Sequence, residues 1–144
     1  MKTTLALATF LWASISMANI TGQWTGWGDW TYQGSGTHCD SMKLNYIETE
    51  TKLVRQPGYF DCQVVGLDIA EGEWTKQGNN LMVDGEIVGT ITDTTLHLSE
   101  SYDENVTVVS DISIEGTHFD YSEIWYDKDG SVIYEITGRL FKKQ

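Results

Sequence analysis

Alternation of apolar and polar residues dominates the chain. Over 106–115, Val106, Val108, Ile112 and Ile114 fall on one phase, and Thr107, Asp111, Ser113 and Glu115 on the other. Ser110 interrupts the apolar phase and Val109 the polar one. Residues 117–126 repeat the theme, with Phe119, Tyr121 and Trp125 opposite His118, Asp120 and Ser122. Residues 131–141 set Val132, Tyr134, Ile136 and Leu140 against Glu135, Thr137 and Arg139. A period of two puts successive side chains on opposite faces of a strand. Glu115-Gly116 and Asp127-Lys128-Asp129-Gly130 supply turns between these segments. This end of the chain is therefore predicted to be an antiparallel meander.

Earlier segments follow the same plan less cleanly. Met42, Leu44 and Tyr46 alternate with Lys43 and Asn45, and Phe60, Cys62 and Val64 with Asp61 and Gln63. Pro57-Gly58 and Gly78-Asn79-Asn80 read as turn punctuation. Further strands are expected over 67–75, 80–84, 86–92 and 94–101, and no window carries a helical stripe of ten or more residues. Closely spaced strands with no helix to cover an edge favour closure. The predicted fold is all-β, an antiparallel up-and-down β-barrel of about 8–10 strands. The alternating segments are short and imperfect, and the chain ends in Lys142-Lys143-Gln144. Both features assign the apolar phase to the inside, the reverse of an outer-membrane barrel.

The first 18 residues fall outside this pattern. Lys2, the apolar run Leu5–Ala13 and Ser16-Met17-Ala18 read as a signal peptide cleaved after Ala18. Residues 19–144 are expected to form a single domain that is secreted or periplasmic. The 144-residue chain carries a formal net charge of −12, and loses one further positive charge with Lys2. Such a balance repels nucleic-acid backbones and anionic membrane surfaces. Neither nucleic acid nor membrane insertion after cleavage is expected. Two cysteines in an exported chain are most simply one disulfide, Cys39 to Cys62.

Gly22-Gln23-Trp24 opens the first strand and Arg139 lies on the last. This resembles the calycin superfamily of lipocalins, fatty-acid-binding proteins and avidins. The resemblance implies a barrel whose end is plugged by Trp24, with Arg139 stacked on the indole. A narrower resemblance over residues 20–90 rests on Gly22-Gln23-Trp24, His38-Cys39-Asp40, Leu44, Cys62, Trp74 and Leu81. These are similar to the periplasmic inhibitors of serralysin-type metalloproteases, which implies a secreted protease as a partner. In that family an N-terminal trunk enters the protease cleft, whereas the expected cleavage after Ala18 would leave only Asn19, Ile20 and Thr21 before Gly22. An inhibitor of this length would have to use a barrel-edge loop or an exposed residue such as Trp27.

Candidate catalytic groups do not assemble on this pattern. His38, Cys39 and Asp40 are adjacent on a strand and point to alternate faces, so they form no triad. His38, His97 and His118 lie on different predicted strands without metal-ligand spacing. Asp111, Glu115, Asp120 and Glu123 offer near pairs of acids, as 21 acids in one chain would by chance. Asp127-Lys128-Asp129-Gly130 begins like a calcium loop, but the twelfth position is Gly138. No catalytic residue, metal or cofactor is assigned. The aromatics remain: Trp24, Trp30 and Tyr32 share a face with Gly26 and Gly28 between them, and Trp27 points the other way. Glycines beside aromatics can open space inside a barrel. The chain is expected to be a non-enzymatic binding module for a small, partly apolar molecule, neutral or cationic in view of the acids. Trp30, Tyr32, Tyr46, Tyr121 and Trp125 are the candidate cavity walls, and Trp27 is a candidate partner contact. Protease inhibition is the alternative, and a hydrolase or isomerase using barrel carboxylates is a remote one.

Overall fold

Period-two patterning becomes strand throughout the computed structural model, which describes residues 20–144. The expected signal segment 1–18 and Asn19 lie outside the described residues. Eleven strands follow in order: β1 (Gly22–Tyr32), β2 (Ser35–Glu48), β3 (Lys52–Cys62), β4 (Val65–Ile69), β5 (Gly72–Gln77) and β6 (Asn80–Val83). β7 (Glu86–Ile91), β8 (Thr95–Ser101), β9 (Val106–Glu115), β10 (His118–Asp127) and β11 (Val132–Lys142) complete the set. All pair antiparallel in one sheet, in the order β2-β1-β11-β10-β9-β8-β7-β6-β5-β3-β4. A further β2–β3 pairing closes the sheet into a ring.

The expected 8–10 strands become eleven for a local reason. Arg55 faces Gly72 on β5, and Gly58 faces Ile69 on β4, in one continuous register against β3. That register puts Pro57 opposite Ala70. Proline has no N–H to give the ladder, so one long strand is interrupted there and counts as two. The Ala70 carbonyl accepts instead from Arg55 Nε at 2.9 Å. Around the ring β4 and β5 therefore occupy one place, and every neighbour except the β1–β11 pair is joined by a short connection.

The apolar phase faces inward. Trp24, Met42, Leu44, Leu53, Phe60 and Phe119 are among the fully buried side chains. The outer face carries charged pairs such as Arg139–Asp120 and Lys52–Glu73. Space beside the paired glycines is already taken. Gly28 faces Gly138 across β1 and β11, and a Cβ on either would lie within 2.7 Å of Met42 Sδ. The room anticipated near Gly28 is filled by a methionine. The Cys39–Cys62 disulfide joins neighbouring β2 and β3, and both cysteines are buried.

One end of the ring is sealed. Trp24 is buried there, its Nε1 donating to the Ile20 carbonyl at 2.7 Å and its ring against Phe119 with centroids 4.4 Å apart. Arg139 does not stack on it, contrary to the calycin expectation. Arg139 shares the outward phase with Thr137, and its guanidinium forms a two-pronged bond to Asp120, at 2.7 and 3.0 Å. The cation over Trp24 is Lys142, which faces it across the β1–β11 register, with Nζ 5.5 Å from the ring.

Candidate functional site

The ring has a gap in its wall toward the other end. β6 pairs with β5 only over Gln77 to Thr75, and β7 with β8 only from Ile91 to Gly89. Beyond these points the β6–β7 hairpin leaves both neighbours. β4 on one side and the end of β8 on the other are left flanking an opening. A cavity of about 240 Å³ lies in it, lined by Arg55, Glu100, Ser110, Glu123, Tyr102 and Trp125, with Asp68, Ile69, Glu71 and Val108 among the remaining walls.

Its floor is a buried polar cluster. Arg55, Ser110 and Glu123 are 9%, 5% and 5% exposed. Arg55 Nη1 lies 3.4 Å from Glu100 Oε2, and its guanidinium carbon sits 5.1 Å above the Trp74 ring. Burial alone would lower the Arg55 pKa, but Tyr46, Glu100 and Tyr121 around it more than offset this and hold it charged. Glu123 accepts hydrogen bonds from the Tyr121 hydroxyl and from Trp125 Nε1. Both donors are neutral, and among the described residues no cation forms an ion pair with Glu123. The Ser110 hydroxyl makes no hydrogen bond among the described residues. Burial raises the Tyr46 pKa far above the usual tyrosine range, with Arg55 pulling the other way. Tyr121 is raised as well, by burial first and then by Glu123.

The aromatic residues expected to line a cavity separate into groups. Trp125 lines this one, and Tyr121 and Tyr46 are buried beside its polar floor. Trp30 and Tyr32 are stacked on each other with centroids 5.8 Å apart, and do not border it. They continue into a run of rings: Trp30 meets Tyr134, Tyr134 stacks on Trp125 at 4.9 Å, and Trp125 meets Tyr102 at 4.9 Å. Trp30 Nε1 is buried without a hydrogen-bond partner among the described residues. Trp27 is 52% exposed on the outer face, against Phe141.

Sequence reasoning missed Arg55, Glu100 and Ser110 as site residues, and gave Glu123 no inward role. The signal was present. Arg55 shares the inward phase with Leu53, and Glu123 lies between inward Tyr121 and Trp125. A charge on the apolar phase of a strand marks a buried site that needs partners.

The other candidate chemistry stays dispersed. His38 lies 3.2 Å from Asp29, and His97 lies 2.7 Å from Asp111, both on the exposed face. Among the described residues, no three His, Cys, Asp or Glu side chains lie close enough together to hold a metal ion. Nor do the residues before Gly22 form a free arm as far as they are described. Ile20 is fully buried, and Thr21 Oγ1 accepts a hydrogen bond from the Glu48 amide.

No protein-family model matches the chain, and no curated protein matches it in sequence. Solved structures do. A protein of unknown function from the DUF3598 family of Nostoc punctiforme superposes with a TM-score of 0.60 at 10% identity. That match covers 86% of this chain and 47% of the other, so the present chain spans about half the length of that relative. Rv2717c from M. tuberculosis superposes with a TM-score of 0.60 at 13% identity, covering 87% of this chain and 93% of that one. At such identities the likeness concerns the fold, an antiparallel all-β sheet, and leaves function to be argued from the site.

Proposed function

We propose that this chain is an exported, non-enzymatic binding module of calycin type that holds a small, partly apolar molecule in the opening between β4 and β8. The observation that carries the reading is the cavity itself. Most of the ring interior is filled by large side chains, yet here an aromatic and aliphatic wall of Trp125, Tyr102, Ile69 and Val108 surrounds a few buried polar groups. Small-molecule sites have that composition: apolar walls with a few oriented polar atoms. The Cys39–Cys62 disulfide fits an oxidising compartment, and with it export.

The reading is tested by titrating a library of arylalkyl compounds while following tryptophan fluorescence, since Trp125 is in the wall. Binders should quench or shift the emission. Ser110→Leu, which fills the cavity with aliphatic atoms, should weaken that response at least about tenfold while the protein stays folded. A library without a single responder would overturn the proposal. So would full binding by a folded Ser110→Leu protein, which would put the site elsewhere.

A further inference from the structure

The charges around the opening are unbalanced. Asp68, Glu71, Glu100 and Glu123 face a single cation, Arg55. Arg55 is already committed to Glu100 and to the Ala70 carbonyl. Glu123 is left as a buried carboxylate held by two neutral donors. A carboxylate taken out of water without a counter-ion is costly, and a cation placed beside it recovers part of that cost. A second observation points the same way. Ser110 is 5% exposed, lines the cavity, and its hydroxyl has no hydrogen-bond partner among the described residues. It is an oxygen available to accept an N–H from a ligand. Above these groups stand the rings of Trp125 and Tyr102, with centroids 4.9 Å apart and planes inclined at 55°. Two inclined aromatic faces beside a carboxylate are the elements from which alkylammonium cages are built.

We infer that the molecule held in the opening is a cation, an amine or alkylammonium whose charged head sits between Glu123, Ser110 and the rings of Trp125 and Tyr102, and whose apolar body lies along Ile69 and Val108. This rests on the reading of the cavity as a ligand site. The negative field at the entrance also opposes a fatty acid, although one arginine is buried within. Arg55 takes the part of a fixed support, since removing it would leave Glu100 unpaired and Ala70 without its donor.

Three probes with one body and three heads separate this inference from the reading it rests on: 4-phenylbutylamine, 4-phenylbutanol and 4-phenylbutyrate. Titrated into the full mature protein near neutral pH, the amine should bind at least about tenfold more tightly than the alcohol, and the carboxylate should bind weakest. Added salt should weaken the amine and leave the alcohol unchanged. Glu123→Gln keeps an acceptor for one of its two donors and removes the charge. It should erase most of the preference for amine over alcohol without abolishing alcohol binding. Equal binding of amine and alcohol, or tighter binding of the carboxylate, would overturn the cation while leaving the cavity as a ligand site. Binding of none of the three at millimolar concentration would overturn both. The wild-type comparison decides the matter even where Glu123→Gln does not fold.

Discussion

Trp24 and Arg139 show how far one residue's neighbours can depart from a motif. Gly22-Gln23-Trp24 locates a buried indole correctly, because a large amphipathic ring at a strand start has a ring end to close and a carbonyl, that of Ile20, to receive its N–H. The partner cannot be read from the motif. It depends on the β1–β11 register, which puts Lys142 opposite Trp24 and turns Arg139 outward to Asp120. The two residues should therefore respond differently to truncation. Trp24→Ala should cost about 3–5 kcal/mol in denaturant melts, as large aromatic deletions in cores do. Arg139→Ala removes an exposed ion pair and should shift the melt no more than an ordinary surface substitution. An equal loss from both would restore Arg139 to the core. Arg55 and Glu123 teach the complementary lesson. Their types suggest surface and their phase says interior, and phase prevails because a strand cannot turn one side chain around without slipping all the others.

At the level of elements, alternation located β9, β10 and β11 well, since the inward phase runs along most of each. A register shift opposite Trp125 and Tyr126 breaks it in β11 and leaves Val132, expected on the inward phase, 57% exposed. It was less informative where backbone chemistry decides. The β4–β5 interruption follows from a proline on the neighbouring strand, and only the register reveals which residue lacks its donor. The wall opening depends on the shortness of β6 and β7, four and six residues, and strand ends are read least well from pattern. The paired glycines give an element-scale prediction. At Gly28 a Cβ would meet the Thr137 carbonyl oxygen at 2.0 Å, a backbone atom with little freedom. At Gly138 the closest atoms are the Sδ and Cε of Met42, a side chain that can swing. Gly28→Ala should then cost about 1–3 kcal/mol, in the range of overpacked cores, and Met42→Leu should not relieve it. Gly138→Ala should cost less, and should couple to Met42→Leu in a double-mutant cycle. Equal costs with no coupling would mean that Met42 does not occupy this space.

For the molecule as a whole, three buried or half-buried tyrosines link stability to alkaline pH. Burial raises Tyr46, Tyr121 and Tyr134 above the ordinary tyrosine range, and Glu123 adds to the rise in each. Unfolded tyrosines lose their protons near pH ~10. Above that pH the folded chain holds more protons than the unfolded one, so stability is full below it and falls as pH rises. Ultraviolet titration should show a group of tyrosines that ionise only as the fold is lost, coincident with the change in circular dichroism. A single smooth titration of all seven tyrosines in the folded protein would contradict their burial. The seam of the ring has a different consequence. With β4 and β5 counted as one interrupted strand, every pairing around it joins strands adjacent in the chain, except that of β1 with β11, where Trp24 meets Lys142. Hairpins form locally and quickly, whereas bringing the two ends of a chain together carries the largest loop-closure entropy. Assembly of this molecule thus has one nonlocal step. A circular permutant that joins the terminal strands and begins at another hairpin would move that step elsewhere while leaving the same set of neighbours.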